Sequence, residues 1–426
     1  MLTVYALVAI YATCYQLQAP LEPFLVERLK NGSSPEEGAT AYARLQSFFQ
    51  LVQMVGSFLV GYLLDIVGLR LMFALNFLGC AASYGILARA DTLDMLWLSK
   101  LPTVLMAGFL CAQTAAAKLT PPGPARASAL GRLTSAYTLG GVIGPALGGY
   151  VGVQVAARLA VVGSTLAVGL VILLPPAIEE AESVQGSSDD PSNANDPVGD
   201  AEKPPSKFSA RLGAVLKLTW PLILSKMASG VVNSAVGAAR PLLLKDDFHF
   251  DAARLGVFMS SGFFGSAMVG LKLGEISEWV GGAAPTIIGS LGAMCSCYLL
   301  LAGAFEPVML DFARSYTPNS GVWVYAGLSF ITSLFQFPLA TTITALSTQI
   351  VPDSLKGTLV GCEHATFALS SLIGPTLGVA CLQAYGLAGV ATGASIAYLA
   401  LFGCWRLCFS RIVGRGAANV TSGKRS

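Results

Sequence analysis

The stretch GGVIGPALGG at residues 140–149 contains five glycines and one proline among ten uncharged residues. In water, each glycine destabilises a helix by about 1 kcal/mol relative to alanine, and a proline by about 3 kcal/mol. Inside a bilayer this composition is tolerated, because small residues let two helices approach closely and neighbouring helices satisfy the backbone groups that proline frees. The stretch therefore predicts a bent, close-packed helix within a membrane.

The composition of the whole chain also indicates a membrane protein. Of the 426 residues, 54% are hydrophobic and 12% are charged, and this charged share is about half that of a typical soluble domain. The nine cysteines lie mostly inside apolar runs, and the two histidines form no cluster with other ligand residues. We therefore predict an all-α membrane protein with no metal, no cofactor and no nucleic-acid partner.

Apolar runs of about 20 residues, long enough to cross a bilayer, recur along the chain. A polar segment that contains IEEAESVQGSSDDPSNANDPVGDAE, with eight acidic residues and no basic one, is typical of a disordered linker. We predict a six-helix half at 1–176, a linker at 177–216, a second six-helix half at 217–410 and a tail at 411–426. The twelve predicted spans are 3–25, 43–64, 70–89, 94–116, 129–151, 155–175, 217–240, 253–275, 284–304, 322–348, 357–381 and 388–408.

The distribution of Lys and Arg predicts the orientation. Segments that face the cytoplasm when the N-terminus is inside carry more Lys and Arg than the outside segments do. We expect both termini and the linker to be cytoplasmic, in the plasma membrane or an internal membrane. Asn31, in the sequon NGS, would then lie outside and be a glycosylation site.

An internal repeat supports the division into two halves. The segment GRLTSAYTLGGVIGPALGG of span five aligns without gaps with GCEHATFALSSLIGPTLGV of span eleven. Gly144 then matches Gly374, and Gly148 matches Gly378. A second alignment, with a different offset, places span two over span eight, so the two halves are predicted to descend from one duplication.

Spacing puts Gly140, Gly144 and Gly148 on one helical face, and the residues that follow each of them form an adjoining stripe. The plain interpretation of this face is a generic helix crossing. The more specific interpretation is a contact between the two halves that forms and breaks as the protein works.

The same stretch resembles motif C, g-x-x-x-G-P-x-x-G-G, of the drug/proton antiporters in the major facilitator superfamily. GYLLDIVGLR after span two resembles motif A, and in LWLSKLPTVLMAG of span four Lys100 stands where motif B has arginine. The resemblance implies twelve transmembrane helices in two six-helix halves. The motif residues are Gly140, Gly144, Pro145, Gly148 and Gly149 for motif C, and Gly61, Leu63, Asp65, Gly68 and Arg70 for motif A.

A resemblance over most of the chain is to the organic-cation-transporter-like, tetracycline-resistance-related branch of solute carrier family 22. It is carried by SKLPTVLM, PARASALGRL, LSKMAS and GTLVGCEHATFALSSLIGPTLG. The resemblance implies exchange of protons for cationic drugs or metabolites. It also implies that Asp65 lies against the cytoplasmic N-terminus of span eleven, where the helix dipole favours a carboxylate and the contact would latch the halves together.

Charged residues within spans cost about 3 kcal/mol at the centre of a helix and are functional candidates. Glu22, late in span one, is either a coupling or gating residue or a rim residue in outside water. Lys100, inside span four, is a candidate for coupling, and Lys226 in span seven for substrate contact. Lys272 and Glu275, three residues apart, are expected to form an ordinary ion pair.

Glu363 is the strongest candidate for a proton carrier. It lies roughly 9 Å inside span eleven, since each helical residue rises about 1.5 Å. A carboxylate at this depth must face water, have a partner or stay protonated. Two interpretations stay open: Glu363 binds and releases the transported proton, or it is a gate residue that contacts span two.

Spans one, four, seven and ten line the central cavity in the superfamily pattern that the resemblance implies. Their polar or aromatic residues, together with Lys226, are candidates for substrate binding: Gln16, Gln18, Gln113, Asn233, Phe335 and Gln336.

No phosphate-binding loop and no catalytic triad spacing occurs in the sequence. We therefore predict a monomeric secondary transporter, not an enzyme, whose partners are a small organic substrate, protons and the lipid bilayer. Two alternatives stay open: a transporter-shaped receptor or scaffold that moves nothing, and a facilitator without proton coupling.

Overall fold

The computed structural model describes residues 1–30, 34–120, 124–174, 208–304, 320–351 and 355–409, and all regular structure in these ranges is helical. Asn31, the predicted linker up to residue 207 and the predicted tail lie outside them. The chain forms two compact units, Met1–Glu202 with Phe250–Phe264, and Lys203–His249 with Gly265–Ser426.

The first unit contains more helices than the six predicted spans, because spans one and four are interrupted. Pro23 lies in the first turn of α2, and Pro102 lies in a 3₁₀ helix, Leu101–Leu105, between α5 and α6. Proline has no backbone N–H to donate, so it favours a helix start or a tighter turn over a continuous α-helix. The helices are α1 Leu2–Gln16, α2 Glu22–Leu29, α3 Pro35–Val67, α4 Leu69–Leu87, α5 Leu93–Lys100, α6 Gly108–Leu119, α7 Pro124–Val151 and α8 Val153–Val171.

The second unit contains the later helices. Helix α13 contains both predicted span eleven and predicted span twelve. Gly386, with φ 64° and ψ −164°, breaks the helix between them. Only glycine adopts this backbone conformation at low cost. The helices are α9 Phe208–Asp246, α10 Ala252–Val280, α11 Ala283–Ala304, α12 Ser320–Ile350 and α13 Lys356–Cys404, followed by a π-helix, Trp405–Phe409.

Two predicted boundaries differ from the structure. Helix α9 begins at Phe208, so the end of the predicted linker is helical, because Ala, Leu and Arg favour a helix upstream of the apolar run. The start of α10, within Phe250–Phe264, belongs to the first compact unit, although it follows the linker in sequence.

Within the described residues, eight helical segments are long and apolar enough to cross a membrane. Predicted spans one, two and five are not among the eight, although each of them lies in helical structure: span one in α1 and α2, span two in α3, and span five in α7. Predicted spans eleven and twelve count as one segment. Large apolar side chains such as Leu166, Leu271 and Leu299 are exposed on the outer faces, as expected for helices in lipid.

The same glycine-mediated helix crossing occurs once in each unit. In the first unit, a Cβ added at Gly144 would lie 2.6 Å from the Cβ of Gln16, and one at Gly148 would meet the carbonyl of Leu17 at the end of α1. In the second unit, a Cβ added at Gly378 would meet the carbonyl of Ala235 in α9. The sequence repeat is therefore a repeat of one close helix contact.

The plain interpretation describes the Gly140 face, because this face packs against α1 of its own unit. The adjoining stripe lies against the first turns of α10. A Cβ added at Gly149 would meet the carbonyl of Ala252, and one at Gly256 would meet the carbonyl of Pro145. Both sides of this second contact belong to the first compact unit.

Candidate functional site: two buried ion pairs

The first unit contains a buried ion pair between Glu22 and Lys100. Glu22 is the first residue of α2, and Lys100 is the last residue of α5, so each lies where a predicted span is interrupted. Their side chains are 10% and 8% exposed. Glu22 is thus enclosed within the unit, and its interpretation as a rim residue in outside water is wrong.

Helix α3 completes the surroundings of this first pair. Gln46 donates a side-chain hydrogen bond to Oε2 of Glu22, whereas Lys100 donates to Oε1. The ammonium of Lys100 lies 5.3 Å from the ring centroid of Phe49, and Tyr15 of α1 stacks on the same ring. Both charges therefore have partners inside the unit, and the pair joins the interrupted first span to the interrupted fourth.

The second unit contains the other buried pair, Lys226 of α9 with Glu363 of α13. Their charged atoms, Nζ and Oε2, are 2.7 Å apart. Ser347 of α12 donates to Oε1 of Glu363 at 2.6 Å, and Lys226 also donates to Oγ1 of Thr344 at 2.9 Å. Three helices, which correspond to predicted spans seven, ten and eleven, thus meet at one carboxylate.

The two pairs differ in their exposure. In the second pair the Lys226 side chain is 21% exposed, whereas the Glu363 side chain is 9% exposed. A proton or a ligand group can therefore approach the second pair from the side of Lys226. Because Thr344 and Ser347 supply hydrogen-bond partners, the ammonium and the carboxylate each keep a neighbour when the ion pair opens.

The candidate substrate residues have varied environments. Gln16 and Gln18 of the first unit are buried, and Nε2 of Gln18 has no hydrogen-bond partner among the residues that the structure describes. Gln113, Phe335 and Gln336 are half-buried, and Asn233 is exposed. Of the candidates, Lys226 alone is brought into an ion pair among the described residues.

Motif A fixes the connection between α3 and α4. Gly68 ends α3 with φ 78°, a conformation that favours glycine. Arg70 donates to the carbonyl oxygens of Ile172 at 2.7 Å and Leu174 at 3.1 Å, and so binds the end of α8. The side chain of Asp65 lies outside the described part of the chain, so the latch stays a prediction.

Two features of the structure were not predicted. The pairing of Glu22 with Lys100 joins residues 78 positions apart, and no spacing in the sequence indicates it. Arg240 of α9 lines a cavity in the second unit, although it stands at the very edge of a predicted span. The sequence signal that could have identified Arg240 is its position as a cation at the end of an apolar run. The predicted pair of Lys272 and Glu275 is confirmed, and it is exposed.

No group of three or more His, Cys, Asp or Glu residues that could hold a metal ion occurs within the described ranges.

Comparison with known proteins places these features in context. The protein family that matches is the Major Facilitator Superfamily, over residues 4–313 and again over 222–424. Solute carrier family 22 member 18 of Mus musculus is 28% identical, and the alignment covers 90% of this chain and 89% of that protein. The multi-drug resistance efflux pump PmrA of Streptococcus pneumoniae is 24% identical, over 91% of this chain and 90% of the pump.

Among solved structures, the human organic anion transporter MFSD10 (TETRAN) has a TM-score of 0.62 to this chain at 17% identity. The match covers 95% of this chain and 98% of that protein. At this level of identity, the likeness shows a common fold.

Proposed function

Because the chain belongs to the Major Facilitator Superfamily, we propose that it is a secondary active transporter that exchanges protons for small organic compounds. The family consists of integral, multi-pass membrane transporters rather than enzymes. The proposal concerns the coupling, the direction and the substrate.

The Lys226–Glu363 pair is the observation that carries the proposal. Glu363 is a buried carboxylate with a lysine and a serine as partners, and its lysine partner is partly exposed. A charged residue at such a position in a membrane helix is costly unless it is paired, and such residues mark proton or substrate paths. Glu363 is therefore our choice for the proton site.

Competition for one carboxylate accounts for exchange. When Glu363 is ionised, it holds either the ammonium of Lys226 or a cationic group of the substrate. When a proton neutralises Glu363, its attraction for either cation is lost, and Lys226 keeps its hydrogen bond to Thr344. Because the proton and a cationic substrate cannot both occupy the carboxylate, one is released as the other binds.

The substrate class that we propose is small organic compounds, with organic cations first. Two observations support it: the ion pair of Glu363 with Lys226, which shows that this carboxylate can hold a cation, and the similarity to a multi-drug resistance efflux pump over most of the chain. We further propose that the protein is a monomer. The distribution of Lys and Arg supports the proposal that both termini are in the cytoplasm and that Asn31 carries a glycan outside.

Transport by purified protein in proteoliposomes tests the proposal. We expect accumulation of radiolabelled tetraethylammonium when a pH gradient is imposed, and less accumulation of benzoate. Glu363→Gln should abolish gradient-driven accumulation, because its amide cannot carry a proton. Exchange of label between equal solutions should persist but need a higher substrate concentration, because the neutral amide no longer attracts the charge of the substrate. Glu275→Gln, which alters an exposed pair, serves as the matched control.

Each other outcome separates the alternatives. Transport by the wild type that ignores the pH gradient would identify an uncoupled facilitator. Binding of a compound without any transport would identify a receptor or scaffold. Gradient-driven accumulation that survives Glu363→Gln would exclude Glu363 as the coupling site, whereas loss of exchange at every substrate concentration would favour a gate.

A further inference from the structure

Two exposed cysteines lie at the end of the last helix. Cys404 is the last residue of α13, and Cys408 lies in the π-helix that follows it. Because the two residues are four positions apart, about one helical turn, both thiols lie on the same side of the helix end. The structure describes all nine cysteines of the chain, and these two alone are exposed.

Aromatic contacts join this helix end to the beginning of the seventh predicted span, in α9. The indole of Trp405 donates from Nε1 to Oγ of Ser225 at 2.8 Å. The ring of Phe409 packs edge-on against the ring of Trp220, with 5.2 Å between the ring centroids. The π-helix and the first turns of the seventh span therefore lie side by side, with Phe409 at the level of Trp220.

This contact places the two cysteines at the membrane surface. Trp220 is exposed, and so is Lys217, nearly one turn before it in α9. Exposed tryptophan and basic residues at the end of an apolar run are typical of the membrane–water interface. Cys408, which precedes Phe409, therefore lies at this interface, and Cys404 lies about 6 Å deeper, since each helical residue rises about 1.5 Å.

The sequence that follows the cysteines is basic. Residues 410–426 contain four Lys or Arg residues and no Asp or Glu, and Arg406, between the two cysteines, is exposed. Basic segments next to a membrane span are attracted to the anionic lipids of the cytoplasmic leaflet. This attraction favours a position of the helix end, with its thiols, against that leaflet.

We propose that Cys404 and Cys408 are S-acylated by long-chain fatty acids. In the net reaction, the sulfur of each cysteine attacks the carbonyl carbon of a fatty acyl-coenzyme A. A thioester bond to the cysteine forms, the bond to the sulfur of coenzyme A breaks, and coenzyme A leaves with the proton that the cysteine thiol gives up. No oxidant or reductant takes part.

The depth of the two thiols suits this reaction. The fatty chain of the acyl donor is apolar and enters the bilayer, whereas its coenzyme A part is charged and stays in the cytoplasm, so the reacting thioester lies at the interface. Juxtamembrane cysteines are the usual sites of reversible S-acylation. Because the helices already hold the chain in the membrane, the effect of the acyl chains is to fix the beginning of the basic tail on the leaflet.

The inference rests on the proposed cytoplasmic C-terminus and is independent of proton coupling. Acyl-resin capture of the full-length protein from human cells tests it: free thiols are blocked, hydroxylamine cleaves thioesters, and the released thiols are captured. We expect hydroxylamine-dependent capture of the wild type. Capture should fall to background in the double variant Cys404→Ser with Cys408→Ser, and Cys408→Ser alone should lose more label than Cys404→Ser.

A matched control comes from the same helix. Cys381→Ser changes a half-buried cysteine of α13 and should be captured as the wild type is. Both proposed sites are exposed, so their replacement by serine should leave folding unchanged, and size-exclusion profiles check this. No hydroxylamine-dependent capture of the wild type, or capture that is unchanged in the double variant, would overturn the proposal.

A second measurement separates a failure of the acylation from a failure of the orientation. Asn419 stands in the sequon NVT of the tail, and it can be glycosylated only if the C-terminus faces outside. A glycan on Asn419, detected by glycosidase treatment and lost in Asn419→Gln, would overturn the orientation and the acylation together. Absence of both the glycan and the capture would overturn the acylation alone.

Discussion

The two units share a helix crossing but differ in where they bury charge. In the first unit, Leu133 occupies the position that Glu363 occupies in the second, and it is fully buried in the apolar core. Leu17 of α1 and Ala235 of α9 face the equivalent glycines Gly148 and Gly378. Alignment of the two helices on these residues places Val8, of the same apolar core, where the second unit has Lys226. The ion pair of the second unit thus corresponds to an apolar contact in the first.

This difference shows which features the repeat retains. Small residues at the crossing are fixed by sterics, because any side chain there would collide with the backbone of the neighbouring helix. Charge is not fixed in this way and has diverged between the units. The enclosed pair of Glu22 and Lys100 joins two interrupted helices, whereas the more accessible pair of Lys226 and Glu363 suits exchange with protons and substrate.

The largest effect on stability is expected from breaking the enclosed pair. Lys100→Met leaves Glu22 buried without its cation and should cost about 3–5 kcal/mol. Lys226→Met should cost less, about 1–3 kcal/mol, because Ser347 still donates to Glu363 and the site is more open. Thermal unfolding of both variants in one detergent measures the ranking.

The double variant that combines Lys100→Met with Glu22→Gln provides the control for this comparison. Glu22→Gln should recover much of the stability lost in Lys100→Met, because it removes the unpaired charge. Equal losses for Lys100→Met and Lys226→Met would show that the two pairs do not differ in the way that their exposure indicates.

A smaller effect, about 1–3 kcal/mol, is expected from adding one carbon at the shared crossing. Gly148→Ala and Gly378→Ala each place a Cβ against a carbonyl of the neighbouring helix and should lower the unfolding temperature by similar amounts. Gly131→Ala and Gly393→Ala add a Cβ where no atom lies within 4 Å, so they should leave stability unchanged or raise it slightly. A loss confined to one unit would show that only one crossing is tightly packed.

The smallest effect is expected near the ends of spans two and eight. The second alignment of the repeat places these two spans over each other. Arg70→Gln removes hydrogen bonds to the end of α8 and should cost about 1 kcal/mol. Lys272→Gln breaks an exposed ion pair and should change stability by less than about 0.5 kcal/mol. A larger loss in Lys272→Gln than in Arg70→Gln would contradict the structural role assigned to Arg70.

Much of the fold follows from local sequence signals. The apolar runs predicted the helices, because a backbone in lipid has to satisfy its own hydrogen bonds. The glycine spacing predicted a close crossing, and the residues at Gly144 and Gly148 lie at that crossing. The interruptions of spans one and four were not predicted as separate helices, because a proline near the end of an apolar run is compatible with either a bend or a break.

The candidate site was predicted in its parts and not in its arrangement. Glu22, Lys100, Lys226 and Glu363 stand out singly, since each is a charge in an apolar run. Their partners could not be read from the sequence, because residues 78 and 137 positions apart meet only when separate helices pack.

The sequence by itself determined that this protein crosses a membrane, that its helices repeat in two halves and that few charges enter them. The reason is that each charged residue placed in lipid has its own free-energy cost, so the apolar runs are visible residue by residue in the sequence. Tertiary structure alone decided which of those charges are neutralised. Lys100 and Lys226 each lie beside a glutamate, whereas Arg240 faces a cavity without one among the described residues. The physical reason is that pairing depends on the few ångströms between side chains of different helices, and helix packing sets that distance.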